Sequence, residues 1–260
     1  MATTFIHQTA IVDPQAQLGT GCYIGPFTTI GAEVQLSEGV RIESHGVIDG
    51  RTKIDEGTHI FPFVSIGLAP QDLKYGGEMT DTIVGKNNQI REFVTIHRGT
   101  AGGGGVTKIG DGNLLMAQSH VAHDCQVGNE IIMANAATLA GHVEVADRAN
   151  IGAYSGVHQF CRVGPEAFVG GYSVVVKDAP PYAIIQGNHA KCYGLNRVGM
   201  KRRGYSKETI EALGRAYYLL LSAKLNTTQA IEKIKEEISG IKEVDVLVAF
   251  FESSKRGVVK

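Results

Sequence analysis

His120, His123, His142 and His158 are four of the nine histidines in this chain, and they fall within one stretch of sequence. Asp124 follows His123, Gly141 precedes His142, and Gln159 follows His158. An imidazole with a reference pKa of about 6.5 accepts a hydroxyl proton near neutral pH, which is the work of a general base. A carboxylate beside it holds the ring and stabilises its cation. A glycine leaves its backbone N–H unobstructed for a developing oxyanion. The residue types therefore suit proton abstraction from a hydroxyl that attacks a carbonyl. No activated nucleophile competes, because Cys125 and Cys161 occupy positions that read as buried small residues. Covalent catalysis through a cysteine is thus disfavoured. A lone histidine is more often a surface residue, and His7, His45, His59 and His189 are read that way, with His97 left open.

What must position these groups is a repeat. From Ile6 every sixth residue is aliphatic through Val12, Leu18, Ile24 and onward to Ile66. The phase returns at Val84, Ile90 and Ile96, gains one residue around Gly102–Gly105, and then holds from Ile109 to Val175. Four residues after each aliphatic position stands a small or β-branched residue, as at Cys22, Thr28, Val34, Thr58, Cys125 and Ser173. Position five of one hexad and position one of the next lie two apart, so on a strand they share a face, and that face is the inward one. Positions three and four are left to turn a corner. Short strands joined by such corners wind into a three-sided prism with 18 residues per coil, a spacing that separates His123, Gly141 and Gln159. With coils ~4.8 Å apart, the cluster lies along one outward edge within roughly 10 Å. Helices need a 3.6 period, and ordinary sheets do not keep a six-residue phase for so long.

Two segments leave the repeat. Residues 68–82 read as a loop thrown out from the prism, and loops of this length are often functional. After Pro180–Pro181 the period stops, and helical patterns cover roughly 206–223, 227–239 and 243–254, with Ser206 as N-cap. The expected organisation is a β-helix domain over 1–190 and a C-terminal α-helical domain over 191–260. Lys201, Arg202 and Arg203 read either as a solvated helix lead-in or as a phosphate site.

Composition bounds the rest. A net charge of −1 gives no bulk reason to bind nucleic acid. The N-terminus lacks the features of a signal peptide, and no stretch approaches the ~18 apolar residues of a membrane span. Four cysteines without CxxC spacing fit a reducing cytosol. A cytoplasmic protein without stable membrane insertion is expected. A zinc site built on His97, His120 and His123, as in carbonic anhydrases of the gamma class, has the wrong spacing, since His120 and His123 form H-x-x-H. No metal and no cofactor are expected.

The [LIV]-G-x-x-[STAV]-x hexads resemble the hexapeptide acyltransferase superfamily. That resemblance implies a left-handed parallel β-helix, against the usual right-handed crossover rule. The motifs PQDLKY, IHRGT, HVAHDC, LAGHV, VHQF, QGNHA and KRRG together resemble the UDP-N-acetylglucosamine 3-O-acyltransferases, which begin lipid A assembly. The resemblance runs from Ile6 to the C-terminus. It implies that His123 is the general base, that Asp124 supports it and that Gly141 supplies the oxyanion N–H. It further implies that His120, His142, His158 and Gln159 position substrate, and that Gln71, Asp72 and Lys74 contact the sugar and the hydroxyacyl group. Asn196, Arg202 and Arg203 would lie near the nucleotide, with Val198 standing where the family often has a glutamate. Gly171 would match the acyl-length ruler and favour a chain of about fourteen carbons over about ten, because a glycine leaves the groove open. The partners implied are 3-hydroxyacyl-acyl carrier protein, UDP-N-acetylglucosamine and two further copies in a homotrimer. The carrier is acidic and would dock on the basic C-terminal surface. A sister N-acyltransferase would need an N-terminal domain for which hexads beginning at Ile6 leave no room, and a silent scaffold would have no use for the histidine cluster.

Overall fold

Alternation on two-residue strands decides the architecture. In the computed structural model, which describes residues 3–260, position-one aliphatics such as Ile24, Ile42, Ile60 and Ile90 are fully buried, and position-five residues such as Val40 and Thr58 lie beside them. Each fully buried isoleucine contributes on the order of 1.5–3 kcal/mol relative to exposure. The strands pair in parallel with the strand one coil away, as in Tyr23↔Arg41 and Ile24↔Ile42. They stack into three sheets of eleven, nine and eight strands, called here sheets one, two and three in chain order. The polar interior is hydrogen-bonded at Asn88, whereas Thr82 Oγ1 and Ser119 Oγ are buried without a hydrogen-bond partner among the described residues. Asn88 Nδ2 donates to the carbonyls of Gly85 and Gly110 at 2.9 Å each, and Asn88 Oδ1 accepts from the Asn113 N–H at 2.8 Å.

The corners differ in chemistry but share a backbone. Position four takes the left-handed conformation with non-glycine residues, including Phe27 (φ 57°), Asp124 (φ 61°), His142 (φ 61°), Arg148 (φ 59°) and Phe160 (φ 64°). Each such residue costs roughly 1–2 kcal/mol. At the corner between sheets one and two, stacking along the column accompanies this cost: Phe27, His45, Phe63 and Phe93 follow one another with ring centroids 5.1, 4.7 and 5.1 Å apart.

Both departures from the repeat leave the corner between sheets two and three. The long loop connects Ser65–Leu68 to Asp81–Val84, and the glycine-rich turn connects Thr95–His97 to Val106–Ile109. The prism ends in an antiparallel pair, Ala183–Gln186 with Lys191–Leu195, so a boundary at 190 falls within this hairpin. Four helices follow: α1 (Arg197–Arg202), α2 (Lys207–Leu221), α3 (Thr227–Glu237) and α4 (Lys242–Glu252). Ser206 caps α2 by accepting from Thr209 N–H at 3.0 Å, and Leu213, Leu220, Leu247 and Phe251 form the helical core. The chain then returns to the prism. Asp178, 1 % exposed, accepts from Ser254 Oγ at 2.8 Å, and its backbone pairs with Gly257 and Val259. Among the described residues, no helix is long and apolar enough to cross a membrane.

Candidate active site

Three successive coils bring His123, Gly141 and Gln159 into one column at the corner between sheets two and three, with Asp124, His142 and Phe160 beside them. His123 Nδ1 lies 2.7 Å from Asp124 Oδ2. The carboxylate accepts, so Nδ1 carries the proton and Nε2 presents its lone pair. The same edge of the ring lies against Gly141: a Cβ built there would lie 2.7 Å from His123 Nε2 and 2.6 Å from Cε1. Any side chain at 141 collides with the ring. The Gly141 N–H donates to no acceptor among the described residues.

The edge was expected to face outward throughout, and Asp124 departs from that. Its side chain is completely buried. The glycine-rich turn covers it, and Thr100 donates to it through both its N–H (2.8 Å to Oδ1) and its hydroxyl (2.6 Å to Oδ2). Asp124 N–H donates to Thr107 Oγ1 at 2.8 Å. His142 stacks on Phe160 with centroids 4.3 Å apart and meets His123 edge-on at 5.1 Å. Burial lowers the His142 pKa, against the opposing pull of Asp124 and Asp72 and with repulsion from His123. Asp72 stands on the long loop that leaves this same corner, between Ser65–Leu68 and Asp81–Val84.

His120 stands on the outer face of sheet two, its Nδ1 2.7 Å from Thr95 Oγ1 and its ring edge-on to His97 at 5.0 Å. Burial, then repulsion from His97 and His123, pushes its pKa down to about 4. Burial and His123 also lower His97. Both are neutral near pH 7 and act there as hydrogen-bonding groups. Cys125 and Cys161 are fully buried, and burial pushes the Cys125 thiol up to about 12, so neither offers a thiolate. Ligand atoms of His123, Asp124 and His142 lie within 4.8 Å of one another, the one such group among the described residues. Both Asp124 oxygens already accept hydrogen bonds from Thr100 and His123, so this triad is organised for proton handling. His97, His120 and His123 do not converge as a zinc triad would require.

The remaining expected residues divide. His158 and Gln159 are exposed above the dyad, with His158 Nδ1 3.1 Å from the Gln159 carbonyl. Gln71 and Lys74 are exposed on the loop, and the Lys74 N–H donates to Asp72 Oδ1 at 2.9 Å. Gly171 lies at a different corner, between sheets one and two, beside the Ala153 carbonyl. Asn196 caps α1 by accepting from Gly199 N–H, and Arg202 is exposed in the last turn of that helix. Arg203 pairs with Glu166 at 3.0 Å and donates to the Arg148 carbonyl, at the corner between sheets three and one. One chain therefore does not gather Gly171, Asn196, Arg202 and Arg203 around His123. Thr100, Gly103 and Thr107 escaped the sequence reading, although the one-residue phase slip at Gly102–Gly105 marks their turn.

A profile of the family described as Udp N-acetylglucosamine O-acyltransferase, domain 2, matches residues 178–259. An acyl-[acyl-carrier-protein]–UDP-N-acetylglucosamine O-acyltransferase from Thermodesulfovibrio yellowstonii is 49% identical over 98% of this chain and 99% of its own length. Solved structures agree. LpxA from Acinetobacter baumannii superposes with a TM-score of 0.96 at 44% identity, covering 98% of this chain and 99% of that one. LpxA from Bacteroides fragilis, a UDP-N-acetylglucosamine acyltransferase, does so with a TM-score of 0.96 at 39% identity, covering 98% and 100%. The likeness carries the hand of the coil, which is left-handed. With identity, fold and coverage all pointing the same way, the chain belongs to the acyl-[acyl-carrier-protein]–UDP-N-acetylglucosamine O-acyltransferase family.

Proposed function

We propose that this acyltransferase moves a 3-hydroxyacyl chain from acyl carrier protein to the 3-hydroxyl of UDP-N-acetylglucosamine, the first step of lipid A biosynthesis. The observation that carries the mechanism is the buried Asp124 holding His123 Nδ1 while Nε2 stands beside Gly141. The sugar hydroxyl gives its proton to Nε2 as its oxygen attacks the thioester carbonyl. The Gly141 N–H stabilises the oxyanion. Collapse expels the carrier thiol, which takes the proton back from His123. Direct attack is favoured because no thiolate is available. His120, His142, His158 and Gln159 position the substrates, and Gln71, Asp72 and Lys74 meet the sugar and the hydroxyacyl group.

The working unit is a homotrimer. Asn196, Arg202, Arg203 and Gly171 lie at other corners, so neighbouring copies bring them to His123 for the nucleotide and the acyl tail. An exposed aromatic edge that includes Phe27, Phe63, Phe93 and Tyr154 supports self-association. The basic C-terminal surface receives the acidic carrier, and free cysteines suit a cytoplasmic setting. Gly171 leaves the groove open for a chain of about fourteen carbons.

The test is an acyl-transfer assay on wild type and His123→Ala, with longer and shorter 3-hydroxyacyl donors, with and without a chelator. Turnover should fall about 10²–10⁴-fold in the variant, ignore the chelator and favour the longer donor. Activity that survives the substitution removes His123 as base. A clear preference for the shorter chain removes the reading of Gly171.

A further inference from the structure

The glycine-rich turn is the one departure from the repeat that the proposed chemistry leaves unused. Thr100 is extended (φ −121°, ψ 154°), Ala101–Gly103 make a 3₁₀ turn, and Gly104 follows in the left-handed region at φ 98°. The N–H groups of Gly103 and Gly105 both donate to the Thr100 carbonyl, at 3.0 and 2.9 Å. This closure presses the turn flat onto Asp124. A Cβ at residue 103 would lie 2.0 Å from Asp124 Cγ, so only glycine permits the approach.

We propose that Thr100 is a positioning residue that assigns the Asp124 carboxylate to His123 and so fixes the proton on His123 Nδ1. The inference rests on the reading of His123 as base. Two imidazoles compete for one oxygen: His123 Nδ1 stands 2.7 Å from Asp124 Oδ2 and His142 Nδ1 stands 3.8 Å from the same atom. Rotation of the carboxylate toward His142 would release the His123 ring and its tautomer. Thr100 opposes that rotation by gripping both oxygens, Oδ1 from its N–H and Oδ2 from its hydroxyl, in a site without exposed surface. Charge-assisted hydrogen bonds of this kind are short and strong. The turn thus explains the phase slip in the repeat. The corner lengthens by seven residues, one hexad and one more, since Thr95 pairs with His120 across a coil of 25 residues and not 18, and the added chain brings a backbone and a side-chain donor over the carboxylate.

Removing the hydroxyl has a defined electrostatic sign. With the carboxylate free to turn toward His142, its support of a cationic His123 weakens, so the acid limb of the rate moves to lower pH. His97, His120 and His142 are the other titratable groups that face His123, with Asp72 acting through His142. None of them is altered by a change at Thr100.

Steady-state kinetics across pH, on wild type, Thr100→Ser, Thr100→Val and His123→Ala, tests the assignment. Thr100→Val should lose about tenfold or more in kcat with KM for both substrates within about twofold, and its acid limb should move to lower pH. Thr100→Ser, which restores the hydroxyl, should stay within about threefold of wild type. Wild-type kcat in Thr100→Val, or equal losses in the Ser and Val variants, would overturn the proposal. If thermal melting shows that Thr100→Val does not fold, Thr100→Ala is held to the same criteria. His123→Ala keeps the two readings apart. Activity retained there defeats the base assignment itself, whereas loss there with an intact Thr100→Val defeats only the role of Thr100.

Discussion

The corner between sheets three and one and the corner between sheets two and three are built on the same left-handed turn, yet they use their polar atoms in opposite ways. At the first, Asp111, Asn129 and Asp147 each turn Oδ1 onto a backbone N–H one coil away, at Lys86 (2.7 Å), Asp111 (2.8 Å) and Asn129 (2.8 Å). The side chains are consumed by the frame. At the second, only Asp124 is consumed, and it is spent on orienting a histidine. The ring of His142 and the amide of Gln159 have no close hydrogen-bond partner among the described residues. The coil supplies identical platforms, and chemistry becomes available where hydrogen-bonding capacity is left over.

The strongest way to break this contrast is at Gly141, where the frame meets the chemistry. Gly141→Ala drives its methyl into the His123 ring, which sits 2.6 Å from the ideal Cβ position. The ring must leave the oxyanion donor, and kcat should fall about 10²–10³-fold, the scale of losing one such donor. Circular dichroism should show an unchanged fold. Retained activity would place the reacting carbonyl away from this glycine.

How far the sequence reveals these corners depends on phase. The prism is legible because the inward aliphatic recurs every sixth residue, and the 18-residue coil then aligns His123 with Gly141 and Gln159. The loop at 68–82 is legible as polar residues where aliphatics are due. The burial of Asp124 is not, since its cover comes from residues out of phase with the repeat. Helix α1 was also missed; it has only six residues, with Gly199 inside and none of the apolar periodicity that marks α2. Helices α2 to α4 fall within about two residues of the expected spans at most ends, the usual fraying limit. Placement of Gly171 and Arg203 at other corners follows from the coil register, which the sequence holds, but their relation to His123 depends on neighbouring copies, which it does not display.

Acid should separate the two corners next. His120 is held near pKa 4 by burial against an unfolded value of 6.5, and His97 and His142 are lowered too. The unfolded chain therefore binds more protons between those limits. Stability is complete above pH 6.5 and declines as pH falls toward 4. Discounted for partial exposure, His120 accounts for about 2 kcal/mol of that loss, at 1.36 kcal/mol for each pKa unit. Urea midpoints between about pH 7 and pH 5 read the histidine side alone, because the lowered carboxylates Glu43 and Glu92 titrate below their usual 4.5. His120→Asn should flatten the acid decline. An equally steep decline in the variant would assign it elsewhere.

The smallest effect is expected at the frame corner, and it sharpens the comparison most cleanly. Asp147 Oδ1 accepts from the Asn129 N–H at 2.8 Å and from Asn129 Nδ2 at 3.1 Å, both at an exposed position. Asp147→Ala strips these acceptors while water reaches the freed donors, so the cost is about 1 kcal/mol, the net worth of an ordinary hydrogen bond. For a chain of this size that lowers Tm by about 2–4 °C. The catalytic corner shares no side chain with this ladder, so kcat and both KM values should match wild type. A fall in kcat with an unchanged Tm would reverse the roles assigned to the two corners, because it would mean that the carboxylate acts on substrate and contributes nothing to holding the coil.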